Sequence, residues 1–365
     1  MPPAGADLDC GLVLSSVRAG LDSGGFPRLD RRVIASAVFR NFRALRSARI
    51  DLAPFNLVIG PNGSGKTSLI QAVLRLRTLA RMPLAEARAE NEPDAAEIGF
   101  RFYPPHDGLE ATLTCRDEDR CDLLQVSPLP AGEGADDWAG LRARLLTVRS
   151  YLLDARAIAR PVYPVASDEL APDGGNLAAH LARLSERSPA AYAGLCEELF
   201  RLFPEYAQLA LDPARGSFSL RLAGSGAAVL VPADELSQGT LYVLALLALA
   251  HDPDPPAIVC LEELDRGIHP RLLRGVRDVL YRLTHPADYG HARRPVQVIA
   301  TTHSPHLLDL FRDHPEEIVI ADKHGRAATF ARLSDRPDLA DLLAEGGTLG
   351  DLWYSGILGG VPEET

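Results

Sequence analysis

The octet Gly60-Pro61-Asn62-Gly63-Ser64-Gly65-Lys66-Thr67 constrains this chain more than any other stretch, because it meets the phosphate-loop pattern G-x-x-x-x-G-K-[ST] at every fixed position. Such a loop works only between a strand and a helix. Phe55-Asn56-Leu57-Val58-Ile59 is a short apolar run of strand type, and Ser68 to Leu76 has the spacing of an amphipathic helix. That helix would aim its free N–H groups and partial positive charge at an anion, so Gly60 through Ser68 are expected to wrap nucleotide phosphates. Lysine stands at only two positions, Lys66 and Lys323, among 38 basic residues. In a chain so biased to arginine, a lysine here fits the need for a compact point charge at the β- and γ-phosphates.

A length of 365 residues suits two domains, or one large α/β domain with an insertion. Hydrophobic residues at 46% and charged residues at 24% allow a substantial core. The apolar run Leu241 to Ala250 is too short to span a bilayer, so no membrane association is expected. Asp7 and Asp9, with the brief Leu12-Val13-Leu14, do not make a signal peptide, which points to the cytoplasm. Cys10, Cys115, Cys121, Cys196 and Cys260 are scattered without a C-x-x-C pair and read as reduced thiols rather than metal ligands. A net charge of −11 argues against a surface coated for nucleic acid. One local patch remains: Arg28, Arg31, Arg32, Arg40, Arg43, Arg46 and Arg49 are opposed only by Asp30. The plainer reading of that patch is a solvated face.

Four segments are expected: a loosely ordered extension over 1–31, a lobe with the phosphate loop over 32–127, a helical insertion lobe over 128–225, and a C-terminal lobe over 226–365. Val33 to Phe39, Ala48 to Leu52, Ile98 to Tyr103, Ala111 to Cys115 and Leu123 to Val126 read as strands, the last three antiparallel. Trp138 to Tyr151, Asn176 to Arg187 and Ala190 to Phe203 have helical spacing without sustained heptads, which excludes a long coiled-coil arm. After Ala257 a strand–helix–strand–helix rhythm implies a parallel sheet.

Ile258-Val259-Cys260-Leu261 is a buried strand ending in Glu262 and Glu263, where α/β sheets place their sites. Glu262 is placed to hold magnesium with the Thr67 hydroxyl, and Glu263 to face the attacking water as general base. Alone, paired acids at a strand end can be mere solvent-facing termini; beside a phosphate loop they gain chemistry. Thr301-Thr302-His303-Ser304-Pro305 ends the next strand, so His303 could contact the γ-phosphate, or simply cap the following helix. Leu236-Ser237-Gln238-Gly239-Thr240 precedes another helix, whose N-terminus suits an anion.

Together these residues resemble the ABC-type ATPase superfamily, and within it the compact bacterial AAA-type ATPases related to SMC, RecF and OLD-family heads. Asn41-Phe42-Arg43, Tyr151-Leu152-Leu153-Asp154-Ala155-Arg156, Glu262 through Pro270 and Leu349 through Gly356 extend the likeness over nearly the whole chain. The resemblance implies an α/β P-loop NTPase head with a mixed parallel sheet, an antiparallel β subdomain and a helical insertion lobe. It also implies ATP and Mg2+ as ligands, and a homodimer on ATP binding in which Ser237, Gln238 and Gly239 of one copy act as a signature in trans. Lys66, Glu263 and His303 would be the catalytic groups, with slow turnover. Three departures stand out: Glu262 replaces the aspartate of transporter heads, Leu264 replaces a usual proline, and Gln125 is the sole candidate for a Q-loop glutamine.

The role implied is DNA repair or defence against foreign DNA, with double-stranded DNA and a separate nuclease or toxin effector chain as candidate partners. Roughly 60 residues follow His303, too few for a nuclease domain on the same chain. The alternatives are an ATP-dependent switch for a protein effector, and a transporter subunit. The long interval between Lys66 and Glu262 disfavours the latter.

Overall fold

A computed structural model describes residues 33–82, 84, 95–117, 120–129, 133–162, 169–224, 229–291, 293–325, 327–344 and 346–359, all within one compact unit, Arg31–Thr365. The extension expected over 1–31, with Cys10, Arg28, Arg31 and Arg32, lies outside the described residues.

Along the chain, β1 (Ile34–Phe42) and β2 (Leu45–Asp51) form a hairpin, and β3 (Phe55–Ile59) feeds α1 (Lys66–Leu79). Then come β4 (Ala96–Phe102), β5 (Glu110–Cys115), β6 (Cys121–Ser127), α2 (Glu133–Leu146), β7 (Arg149–Tyr151) and α3 (Ala155–Ala159). The helices α4 (Leu177–Arg187) and α5 (Pro189–Leu202) precede β8 (Tyr206–Asp212), β9 (Ser217–Leu222) and β10 (Leu230–Pro232). The rest alternates: α6 (Gln238–His251), β11 (Ile258–Leu261), α7 (Leu273–Thr284), β12 (Gln297–Thr301), α8 (Pro305–Asp309), β13 (Ile318–His324), β14 (Ala327–Arg332), α9 (Leu339–Ala344) and α10 (Leu349–Tyr354).

The central sheet has the order β14-β13-β3-β12-β11-β7, parallel except for the antiparallel edge strand β14. Its inner strands are buried on both faces, as continuous apolar runs in parallel sheets require. Leu57, Val259 and Val298 face one core, with α6, α7 and α8; Val58, Cys260 and Ile299 face the other, with α1, α2 and the antiparallel sheet β2-β1-β4-β5-β6. The α/β architecture with mixed and antiparallel sheets is therefore the one the sequence implies. A small sheet β10-β9-β8 packs against α4 and α5. Helix α6 is buried from Gly239 to His251, which explains its lack of a polar face.

Two expectations need correction. The helix expected to reach Tyr151 stops at Leu146, and Arg149–Tyr151 instead forms the edge strand β7 beside β11. The buried Arg149 guanidinium takes the carbonyls of Leu146 and Val148, ending the helix. Cys115 and Cys121 are not reduced thiols but a disulfide, because β5 and β6 pair in a register that sets them opposite one another. Cys196 and Cys260 are free.

Candidate functional site

The phosphate loop runs from the end of β3 to the start of α1. Gly60 has φ +149, and a Cβ there would lie 2.0 Å from the Ala321 carbonyl oxygen on the neighbouring strand, so only glycine fits. Lys66 is buried, and its Nζ donates to the carbonyls of Gly60 (2.7 Å) and Pro61 (2.8 Å). Burial lowers its pKa to about 8. Ser64 Oγ is buried with no hydrogen-bond partner among the described residues. A buried ammonium and a buried hydroxyl with no described partner fit a cradle for an anion.

At the end of β11, the Glu262 N–H donates to the Tyr151 carbonyl (2.9 Å), so the short edge strand β7 fixes this residue in place. The Thr67 hydroxyl lies beside the Glu262 carboxylate and favours its charged form. Burial raises the Glu262 pKa, the neighbouring Glu263 raises it further, and the Thr67 contact opposes both. A hydroxyl and a carboxylate meeting beside a phosphate loop, with a second carboxylate adjacent, fit a hard divalent cation such as magnesium.

Glu263 sits at φ 52, a left-handed conformation uncommon outside glycine. It is held there because its N–H donates to Thr301 Oγ1 (3.0 Å) and the following Leu264 N–H donates to the Thr301 carbonyl (2.9 Å). The Glu263 side chain is half exposed and lies 3.5 Å from Arg266.

His303 follows β12. Its pKa is lowered, first by burial and then by the charge of Lys66, against the opposing pull of Asp265 and Glu263. The histidine thus shares one electrostatic neighbourhood with the phosphate-loop lysine and the second carboxylate. It does not cap the next helix; Ser304 does, accepting from the Leu307 N–H (3.2 Å).

Sequence reasoning gave Asp265 no role. Its Oδ1 accepts from the Thr302 hydroxyl (2.5 Å) and the His303 N–H (3.3 Å), tying the acidic loop to the histidine loop. The signal available was its place in the string Glu262 to Pro270, two residues after the paired acids.

Ser237, Gln238 and Gly239 lie at the N-terminus of α6. Ser237 caps the helix, accepting from the Thr240 N–H (3.1 Å), and Gln238 Nε2 donates to the Tyr242 hydroxyl (2.8 Å). Tyr242 in turn donates to the Leu153 carbonyl (2.8 Å). A Cβ on Gly239 would lie 3.0 Å from the Gly267 carbonyl oxygen, so the loop after the paired acids packs directly on this turn. The structure therefore brings together Lys66, Thr67, Glu262, Glu263 and His303, while the side-chain hydrogen bonds of Ser237 and Gln238 stay within α6. Gln125 sits within β6, opposite Thr112. In the arginine-rich stretch, Arg40 faces Glu97 (3.6 Å), Arg49 pairs with Asp51 (2.8 Å) and Arg43 lies over the Phe42 ring.

Residues 144–309 match a family described as "AAA domain, putative AbiEii toxin, Type IV TA system", and residues 34–97 match an AAA ATPase domain. The chain is 25% identical over 348 residues to an OLD nuclease of Thermus scotoductus, covering 82% of this chain and 64% of that protein. It is 46% identical over 44 residues to the DNA replication and repair protein RecF of Actinobacillus pleuropneumoniae, 12% of either chain. The chain thus spans under two thirds of the curated relatives it matches. Among solved structures, an SMC head bound to the C-winged helix domain of ScpA superposes with a TM-score of 0.58 at 13% identity, covering 83% of this chain and 99% of that one. The SMC head domain from Thermotoga maritima gives 0.50 at 13% identity, covering 82% and 98%. Among the described residues, no helix is long and apolar enough to cross a membrane.

Proposed function

We propose that this chain, an SMC/RecF/OLD-like ATPase head, binds and hydrolyses ATP with magnesium, in a site completed by a second copy. The observation that carries the reading is the convergence of Lys66, Thr67, Glu262, Glu263 and His303 on the ends of three adjacent parallel strands. Backbone N–H groups from Asn62 to Ser68 cradle the phosphates, and Lys66 exchanges its two carbonyl partners for phosphate oxygens. Thr67 and Glu262 hold magnesium, which when bound neutralises charge on the phosphates and orients them for in-line attack.

Glu263 takes the proton of the attacking water. Its left-handed backbone is fixed by Thr301 at the end of the acidic strand, beside Glu262. His303, kept largely neutral by burial and by Lys66, donates a hydrogen bond to the transferred phosphate, and Asp265 positions it. Ser237 and Gly239 form a capped helix start suited to the γ-phosphate held by the partner copy.

Glu263→Gln should retain ATP binding and lose a factor of roughly 10²–10⁴ in turnover. Phosphate release from purified protein measures this, and wild-type turnover in the variant would place the base elsewhere.

Kinship to an OLD nuclease and to RecF supports a role on DNA, in repair or in defence against foreign DNA, together with a nuclease or toxin effector. The local pairing of Arg40 and Arg49 with carboxylates supports the second reading, an ATP-driven switch for a protein effector. Duplex-DNA anisotropy with Glu263→Gln and ATP at low salt separates the two. ATP-dependent binding that falls with salt supports DNA, and its absence supports the effector.

A further inference from the structure

The two lysines of this chain meet at the same loop. Strand β13 runs parallel to β3, with Val319 opposite Val58 and Ile320 opposite Ile59. Its next residues therefore run alongside the phosphate loop, and the Ala321 carbonyl is the atom that forbids a side chain at Gly60. Two residues on, Lys323 reaches the middle of the loop. A Cβ built on Gly63 would lie 3.5 Å from Lys323 Nζ and 4.0 Å from its Cδ.

Resting on the phosphate-loop reading above, we propose that Lys323 is a second nucleotide-binding cation, placed on the outer rim of the loop to attract and hold the phosphate tail of ATP. Three observations separate it from an ordinary surface lysine. Its main-chain N–H is fixed by the Asp322 carboxylate (2.8 Å), which sets the direction of the strand end. Its side chain is exposed, and among the described residues no carboxylate pairs with it. By contrast, the exposed Arg49, Arg101 and Arg116 are paired with Asp51, Glu110 and Asp122. On a chain of net charge −11, an ammonium beside the loop with no carboxylate partner among the described residues gives the phosphates a local positive field. The ammonium is also the right group. A guanidinium is a wide planar fork, whereas a compact charge can approach a curved loop and follow a mobile phosphate.

Lys66 and Lys323 then divide the work. The first enters from the helix start inside the loop. The second approaches from the neighbouring strand outside it, where no packing depends on it.

The test is titration of a fluorescent ATP analogue with magnesium into wild type, Lys323→Ala, Lys323→Arg and Lys66→Ala, at low and high salt. Lys323→Ala should weaken binding by about 3- to 10-fold at low salt, the effect of one charge acting on a triphosphate through a partly solvated gap. The difference should shrink at high salt, and Lys323→Arg should restore part of the affinity. Wild-type affinity in Lys323→Ala, with binding lost in Lys66→Ala, would overturn the role of Lys323 while sparing the phosphate loop. Wild-type affinity in both would overturn the phosphate-loop reading itself.

Discussion

Raising the pH from 7 to 9 should weaken ATP binding about tenfold, and Lys66 is the reason. In the free protein its pKa stands at about 8, lowered from 10.5 because the side chain is buried. At pH 7 about nine in ten molecules then carry the charge, and at pH 9 about one in ten. If only the charged lysine binds phosphate, each bound ATP at pH 9 must first recover a proton. The cost is about 1.4 kcal/mol relative to pH 7, or a factor of ten. Phosphate monoesters ionise a second time at a pKa of about 6, below this window, so the phosphate charge changes little across it.

Stability of the free protein moves the other way. A lysine whose folded pKa lies below its unfolded value costs stability while charged, and that cost disappears as pH rises from about 8 toward 10.5. Calorimetric titration at pH 7, 8 and 9 reads the first trend, and urea denaturation followed by circular dichroism at the same pH values reads the second. An ATP affinity that stays flat to pH 9 would refute the link between burial of Lys66 and phosphate binding.

Two further perturbations probe the rest of the site. Tyr242→Phe removes a buried hydroxyl that joins Gln238 to the Leu153 carbonyl, leaving both without their partner. Urea denaturation should show a loss of about 1–3 kcal/mol, and an unchanged midpoint would mean the signature turn is not held by this bridge. Ser237→Arg places a bulky cation at the exposed start of α6 and should abolish steady-state turnover while leaving ATP affinity within about twofold of wild type. Loss of binding in that variant would show that the signature acts on its own subunit's nucleotide.

The phosphate loop, the acidic strand and the parallel sheet were legible because each is local. Apolar strands of the right length end in residues whose chemistry is specific, and Gly60 to Thr67 leaves one reading. The sheet edge was not legible. Trp138 to Leu145 has a helical period, and nothing periodic marks Arg149–Tyr151 as a strand whose sheet partner lies beyond residue 257. Cross-links such as Asp265 with Thr302, or Tyr242 with Leu153, join residues 37 and 89 positions apart and leave no trace in local spacing. The Cys115–Cys121 bridge depends on hairpin register, which the spacing of the two cysteines does not specify. Lys323 stood out by composition alone, and its meaning required the register of β13 against β3.

Completion of the ATP site by a second copy is the central claim, and light scattering of Glu263→Gln tests it most directly. Without nucleotide the mass should match a single chain of 39.4 kDa, and with Mg-ATP it should double. Adding Ser237→Arg to the same protein should return it to the single-chain mass while ATP remains bound. A particle that stays at one chain with saturating Mg-ATP would contradict the shared site and leave Ser237 and Gly239 as an ordinary helix cap.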